Sequence, residues 1–175
     1  MKAELQVRLA ECRLEMHPTK TKIVYCKDGK RKGTYPNIQF EFLGYGFRPR
    51  LVRRSQDNTL FWGFNPAVSA SALKTMRTAM RELNLRHRTD LPMDDIARRI
   101  NPLLRGWIEY YGRYAPSALY PLLRYVNQML LRWARRKFRR FKAHKIRASR
   151  FLQKLAREKA SLFVHWKLGM TGTFA

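Results

Sequence analysis

From Tyr110 to Arg157 the chain carries no acidic side chain, yet apolar residues recur through that span three and four positions apart. A helix with this pattern must set its apolar side against a core and leave its basic side outward with no opposite charge beside it. Over residues 117–141, a turn of about 100 degrees per residue gathers Leu122, Leu123, Val126, Met129, Leu130, Trp133, Ala134, Phe138 and Phe141 on one half of the cylinder. Arg124, Arg132, Arg135, Arg136, Arg139 and Lys142 fall on the other half. Arginine dominates that stripe, and its planar fork suits two-point contact with phosphate better than lysine does. An ordinary core-facing helix with a solvated outside explains the apolar half but calls for both signs of charge on the other.

The charge of the whole chain points the same way. Across 175 residues, 37 Lys and Arg stand against 12 Asp and Glu, a net +25. Residues 113–175 hold 16 of those bases and only 1 of the acids. Self-repulsion on this scale destabilises a compact chain unless a polyanion neutralises it, and counterion release from phosphates supplies the compensating free energy. Nucleic acid is therefore the expected partner. Solubility alone needs a net charge of only about 2 to 8 on a small domain. A membrane surface is disfavoured because the apolar helix faces are committed to a core, and the longest apolar run, Ile23 to Cys26, is far short of the roughly 20 residues of a span. The first residues lack the apolar core of a secretory signal, so the expected compartment is the cytoplasm and Cys12 and Cys26 are expected as reduced thiols.

With 45% apolar and 13% aromatic residues, the chain can bury a core. Periodicity predicts a helix over 3–15, ending before Pro18. Ile23–Cys26 and Ile38–Phe47 are β-rich runs with turn chemistry at Asp28-Gly29 and Gly33 between them. Val52 and Leu60–Trp62 flank Gln56-Asp57-Asn58 as a second hairpin, and the strand signal ends near Pro66. Helices follow over 69–83, from Met93 to about Tyr111 with a kink at Pro102, over 117–141, and over 149–167 with a stop at Gly169. The expected class is α+β, mainly α: a small β-containing unit over 1–65 and a helical bundle over 66–175.

Four segments carry a family resemblance: HPTKTKIV (His17 to Val24), FEFLGYGFRPR (Phe40 to Arg50), INPLLRGWIEYYGRY (Ile100 to Tyr114) and HKIRASRFLQKLA (His144 to Ala156). Together and in this order, they resemble the carboxy-terminal part of group II intron-encoded reverse transcriptases, or maturases. The resemblance implies that residues 1–65 are a remnant of a polymerase palm and that 66–175 are the thumb, or maturase-specific domain X, which grips intron RNA. It implies that Lys20 lies near the incoming nucleotide in a complete enzyme, and that Phe42, Leu43 and Gly44 steady the primer end. Read alone, Lys20 is a basic turn residue and the Phe42–Gly44 segment is hairpin core.

In that family the polymerase metals sit on a Tyr-x-Asp-Asp hairpin and an earlier Asp, before the segment equivalent to HPTKTKIV, and this chain begins too late to contain them. No catalytic residue and no cofactor is therefore expected, Mg2+ being required only by a complete polymerase. Asp94-Asp95 imitates the acidic pair, but it opens a helix, where carboxylates favour the positive end of the dipole. His17, His87, His144 and His165 show no metal-ligand spacing.

The leading expectation is an RNA-binding carboxy-terminal fragment that aids intron folding and splicing. Its contacts would come from Arg124, Arg132, Arg135, Arg136, Arg139, Arg140, Lys142, Lys145, Arg147 and Arg150, with aromatics such as Trp107, Tyr110, Tyr111, Tyr114 and Trp133 interleaved. A split or truncated RNA-directed DNA polymerase that works with a separate palm is the rival, and a general basic RNA-binding protein the third reading. Expected partners are intron RNA or another structured RNA, with DNA as a further option and self-association through open strand edges of a truncated palm.

Overall fold

Local chemistry decides where each element stops. The structure, a computed structural model, describes residues 2–27, 30, 33–54, 56–172 and 174. Helix α1 (Lys2–Glu11) ends four residues sooner than its periodicity suggests. Arg13 turns into the left-handed region at φ 56, and the amide of Leu14 donates back to Leu9 O at 2.9 Å, a closure that satisfies the last carbonyls. No residue of α1 is buried. The run Ile23–Cys26 forms no strand. The Tyr25 amide donates to Asn37 O at 2.8 Å, and the Tyr25 and Tyr35 rings pack at 4.1 Å. The turn expected at Asp28-Gly29 lies outside the described residues.

Strands β1 (Phe40–Phe42), β2 (Tyr45–Arg53) and β3 (Leu60–Val68) pair in the order β1-β2-β3 as an antiparallel sheet. Leu43 at φ 48 and Gly44 at φ 78 make the two-residue connection of the first hairpin, both residues positive as a type I′ turn demands. The second turn is fixed by Asp57, whose Oδ1 accepts from the Thr59 amide at 3.1 Å and the Thr59 hydroxyl at 2.7 Å. Those bonds hold its carboxyl below the usual range. β3 continues through Pro66, past the end that sequence suggests. It is an end strand in the sheet order, where a missing N–H is tolerated.

The chain divides into two compact units, Met1–Phe40 with Arg48–Phe64, and Glu41–Phe47 with Asn65–Ala175. The second holds the helices α2 (Ala70–Glu82), α3 (Met93–Tyr111), α4 (Tyr120–Lys137), α5 (Lys145–Glu158) and the single turn α6 (Val164–Lys167), giving the α+β, mainly α class that composition and periodicity imply. Ser69 caps α2, its Oγ accepting from the Ala72 amide at 3.1 Å. Ile96, Ile100 and Leu104 of α3, Leu122, Leu123, Val126 and Leu130 of α4, and Leu152 of α5 are sealed from water. Each such side chain contributes about 1.5–3 kcal/mol of burial free energy.

Two helix expectations need correction, and a third holds: α3 runs on through Pro102 as one helix. Asn101, just before that proline, donates from Nδ2 to Leu162 O at 2.9 Å and accepts from the Val164 amide at 3.1 Å. α4 is shorter than 117–141. It is flanked by 3-10 turns at Pro116–Leu119 and Arg139–Phe141, with Phe138 extended between helix and turn so that its ring meets Trp133, Phe141 and Phe151 at about 6 Å. The helix expected over 149–167 is two. α5 begins at Lys145, and the chain leaves helical form before Phe163, extended at ψ 135, to reach the Asn101 clamp. Gly169, at φ 80, does end α6.

A second clamp closes the bundle. Asn127, buried mid-α4, donates from Nδ2 to Met170 O at 2.8 Å, and its Oδ1 accepts from Trp166 Nε1 at 3.0 Å and meets His165 Nε2 at 2.7 Å. Trp166 has only a donor to offer, so the oxygen assignment of Asn127 is fixed and His165 must carry its proton on Nε2.

Candidate nucleic-acid interface

The site is built on α4. Its apolar residues Leu122, Leu123, Val126, Met129, Leu130, Trp133 and Ala134 are buried, together with Asn127 and Leu131, and this fixes the roll of the helix. Trp133 is 1% exposed, and its Nε1 donates to Arg88 O at 3.0 Å. On the opposite side Arg124, Arg132 and Arg136 are exposed and Arg135 is half-buried. Lys137 leaves the stripe: its Nζ donates to Leu91 O at 2.6 Å and sits 5.3 Å from the Trp133 ring centre.

Arg132, Arg135, Arg136 and Lys142 converge on a recess of about 490 Å³, joined there by Arg86. Arg86 is the residue that sequence reasoning missed. It lies on the 3-10 turn Leu85–His87, between the helices expected over 69–83 and from Met93, in the joint 84–92. The available signal was Leu85, an apolar residue in that joint, which is buried and fixes the turn. Asn84, at φ 47, supplies the left-handed residue that starts it. Arg135 Nη2 donates to Lys142 O at 3.1 Å, while its Nε is covered and makes no hydrogen bond.

The remaining basic residues go elsewhere. The extended Phe138 breaks the rotation that put Arg139 and Lys142 in phase with α4, and Lys142 comes to the recess from the following turn. Arg140 lies over three rings, 4.7 Å from the centre of Phe141, 5.4 Å from Phe151 and 5.8 Å from Phe138. Arg124, Arg139, Lys145, Arg147 and Arg150 are exposed and do not line the recess.

Lys20 lies in the first unit, in an exposed turn where its amide donates to His17 Nδ1 at 3.3 Å. Phe42, Leu43 and Gly44 belong to the second unit. Phe42 and Leu43 are exposed, whereas Gly44 backs onto the Tyr111 hydroxyl. Tyr110 holds this corner, its hydroxyl donating to Leu43 O at 3.1 Å, and the Tyr45 hydroxyl donates to Tyr110 O. Burial, then the neighbouring Tyr110, push the Tyr45 and Tyr111 hydroxyls above their ordinary pKa. Among the interleaved aromatics, Tyr110 and Tyr114 are exposed, Trp107 is half-buried and Trp133 is core.

Asp94 and Asp95 stand in the first turn of α3, where Asp95 pairs with Arg98. Among the described residues no group of three or more His, Cys, Asp or Glu could hold a metal ion, and no helix is long and apolar enough to cross a membrane. Cys12 and Cys26 are exposed. In sequence, residues 73–151 match the family model of the group II intron maturase-specific domain. No curated protein and no solved structure matches the chain.

Proposed function

We propose that this chain, which carries a group II intron maturase-specific domain over residues 73–151, binds structured intron RNA through the basic side of α4 and the turn after it, and so helps that RNA fold and splice. One observation carries the reading. The apolar half of α4 is fully spent on the core, while its basic half faces outward in a stretch with no acid between Tyr110 and Arg157. Folded RNA presents phosphates, 2′-hydroxyls and unpaired bases, and an arginine-rich convex helix meets the first two without regard to sequence. Exposed Tyr110 and Tyr114 add faces on which an unpaired base can stack.

Replacing Arg132, Arg135 and Arg139 with glutamine tests this. Glutamine keeps helix propensity, so the fold should stay intact while intron RNA binding weakens. The slope of log K against log salt should fall by about 1 for each phosphate that is no longer neutralised. Unchanged affinity with an intact fold would remove α4 from the interface.

A further inference from the structure

The recess beside α4 is more specific than a basic face needs to be. Five cations from three separate chain segments point into it: Arg86 from the turn before α3, Arg132, Arg135 and Arg136 from α4, and Lys142 from the turn after α4. Among the described residues, no acidic side chain lines it. A strand of RNA running along a helix face meets one phosphate at a time, and arginines spaced along an exposed stripe serve that purpose. Cations drawn from different segments into one concavity repel each other, so the arrangement is favourable only when several negative charges enter together.

Arg135 makes the same point independently. One end of its guanidinium donates to Lys142 O at 3.1 Å, while Nε is covered by protein and has no acceptor. A charged donor left without a partner is costly. The guanidinium fork matches the spacing of two phosphate oxygens, and a phosphate entering the recess is the acceptor to which a small turn of this fork could present Nε.

We infer that the recess formed by Arg86, Arg132, Arg135, Arg136 and Lys142 seats two or more closely spaced phosphates. Two sources present that chemistry: an RNA backbone at a sharp reversal, where phosphates of different nucleotides approach each other, and a free polyphosphate chain. This deepens the RNA-binding reading of α4 and rests on it for the first source only. Arg86 is the discriminating residue, because it lines the recess but lies off the α4 stripe.

The experiment uses the full chain. Tripolyphosphate is titrated while the side-chain Nε–H signals of Arg135 and Arg124 are followed by NMR. Affinities are then measured at one salt concentration for a straight RNA duplex and for a duplex of equal length bent by an internal bulge, with the wild type, Arg86→Gln and Arg124→Gln. Tripolyphosphate should shift the Arg135 signal and leave Arg124 unmoved. Arg86→Gln should weaken tripolyphosphate and bulged RNA by about tenfold and leave the straight duplex within about twofold. Arg124→Gln should weaken both RNAs alike.

A shifted Arg135 signal without preference for bulged RNA supports the seat and assigns it to free polyphosphate. A shifted Arg135 signal in a protein that binds neither RNA supports the seat while ending the RNA-binding reading. An Arg135 signal that tripolyphosphate does not move, with Arg86→Gln weakening both RNAs equally, overturns the inference and returns the recess to a diffuse basic surface.

Discussion

His165 Nε2 lies 2.7 Å from Asn127 Oδ1, and neither residue reaches solvent. The imidazole is neutral there because burial pushes its pKa down to about 3. In the unfolded chain the same group titrates near 6.5, so the unfolded state binds the extra proton between those values. Stability from this group is full above about pH 6.5 and is lost as the pH falls toward about 3, roughly 3 kcal/mol by pH 4. Thermal melts of the wild type and His165→Gln at pH 7 and pH 4 should show the variant losing less on acidification. Parallel losses would place the acid sensitivity elsewhere.

Trp133 and the arginines of α4 and the turn after it should separate stability from binding. Trp133→Ala removes a fully buried ring, its bond to Arg88 O and the surface that Lys137 covers, and should cost about 3 to 5 kcal/mol. The arginine-to-glutamine triple change should leave the denaturant midpoint nearly where it was. A Trp133→Ala cost under about 1 kcal/mol would contradict its place in the core.

Gly44 combines a left-handed φ of 78 with the Tyr111 hydroxyl where a Cβ would go. Gly44→Ala should destabilise the second unit by about 1–3 kcal/mol. Adding Tyr111→Phe should restore part of the loss, because it removes the crowding oxygen and leaves the backbone strain. Amide exchange in the β1–β2 hairpin would report both effects.

Asp94 should behave as a helix-start charge. Asp94→Asn is expected to cost about 0.3–1 kcal/mol by weakening the interaction with the α3 dipole. Titration with Mg2+ should leave the Asp94 and Asp95 amide signals unmoved. A saturable magnesium shift abolished by the substitution would defeat this reading.

Sequence spacing locates the cores of the helices because burial follows period: Leu122, Val126, Leu130 and Trp133 on α4 are sealed where the pattern puts them, and on α3 Ile96, Ile100 and Leu104 are sealed while Leu103, on the same expected face, is exposed. Gly169 ends α6 where the sequence places a stop, whereas the turn at Leu43-Gly44 divides what reads as a single β-rich run, Ile38–Phe47. Rotation fails where the helical phase itself stops. Phe138 leaves α4 to join an aromatic cluster, a tertiary gain that no window of sequence contains, and Arg139, Arg140 and Lys142 are re-aimed as a result. Arg86 is hidden for the related reason that a recess is formed by segments distant in sequence. The same holds for Asn101 and Asn127, whose partners lie far along the chain at Leu162 to Met170.

Those two asparagines also set an order of events during synthesis. The helices that contain them leave the ribosome well before residues 162–170, the segment that gives their amides partners. Until that segment arrives, the buried Asn127 and the half-buried Asn101 lack those partners. The last turn, α6, is the stopper: its docking supplies the Asn127 acceptor with two donors in one step. A nascent chain halted short of residue 165 would hold α2 to α5 and lack the His165, Trp166 and Met170 partners of Asn127.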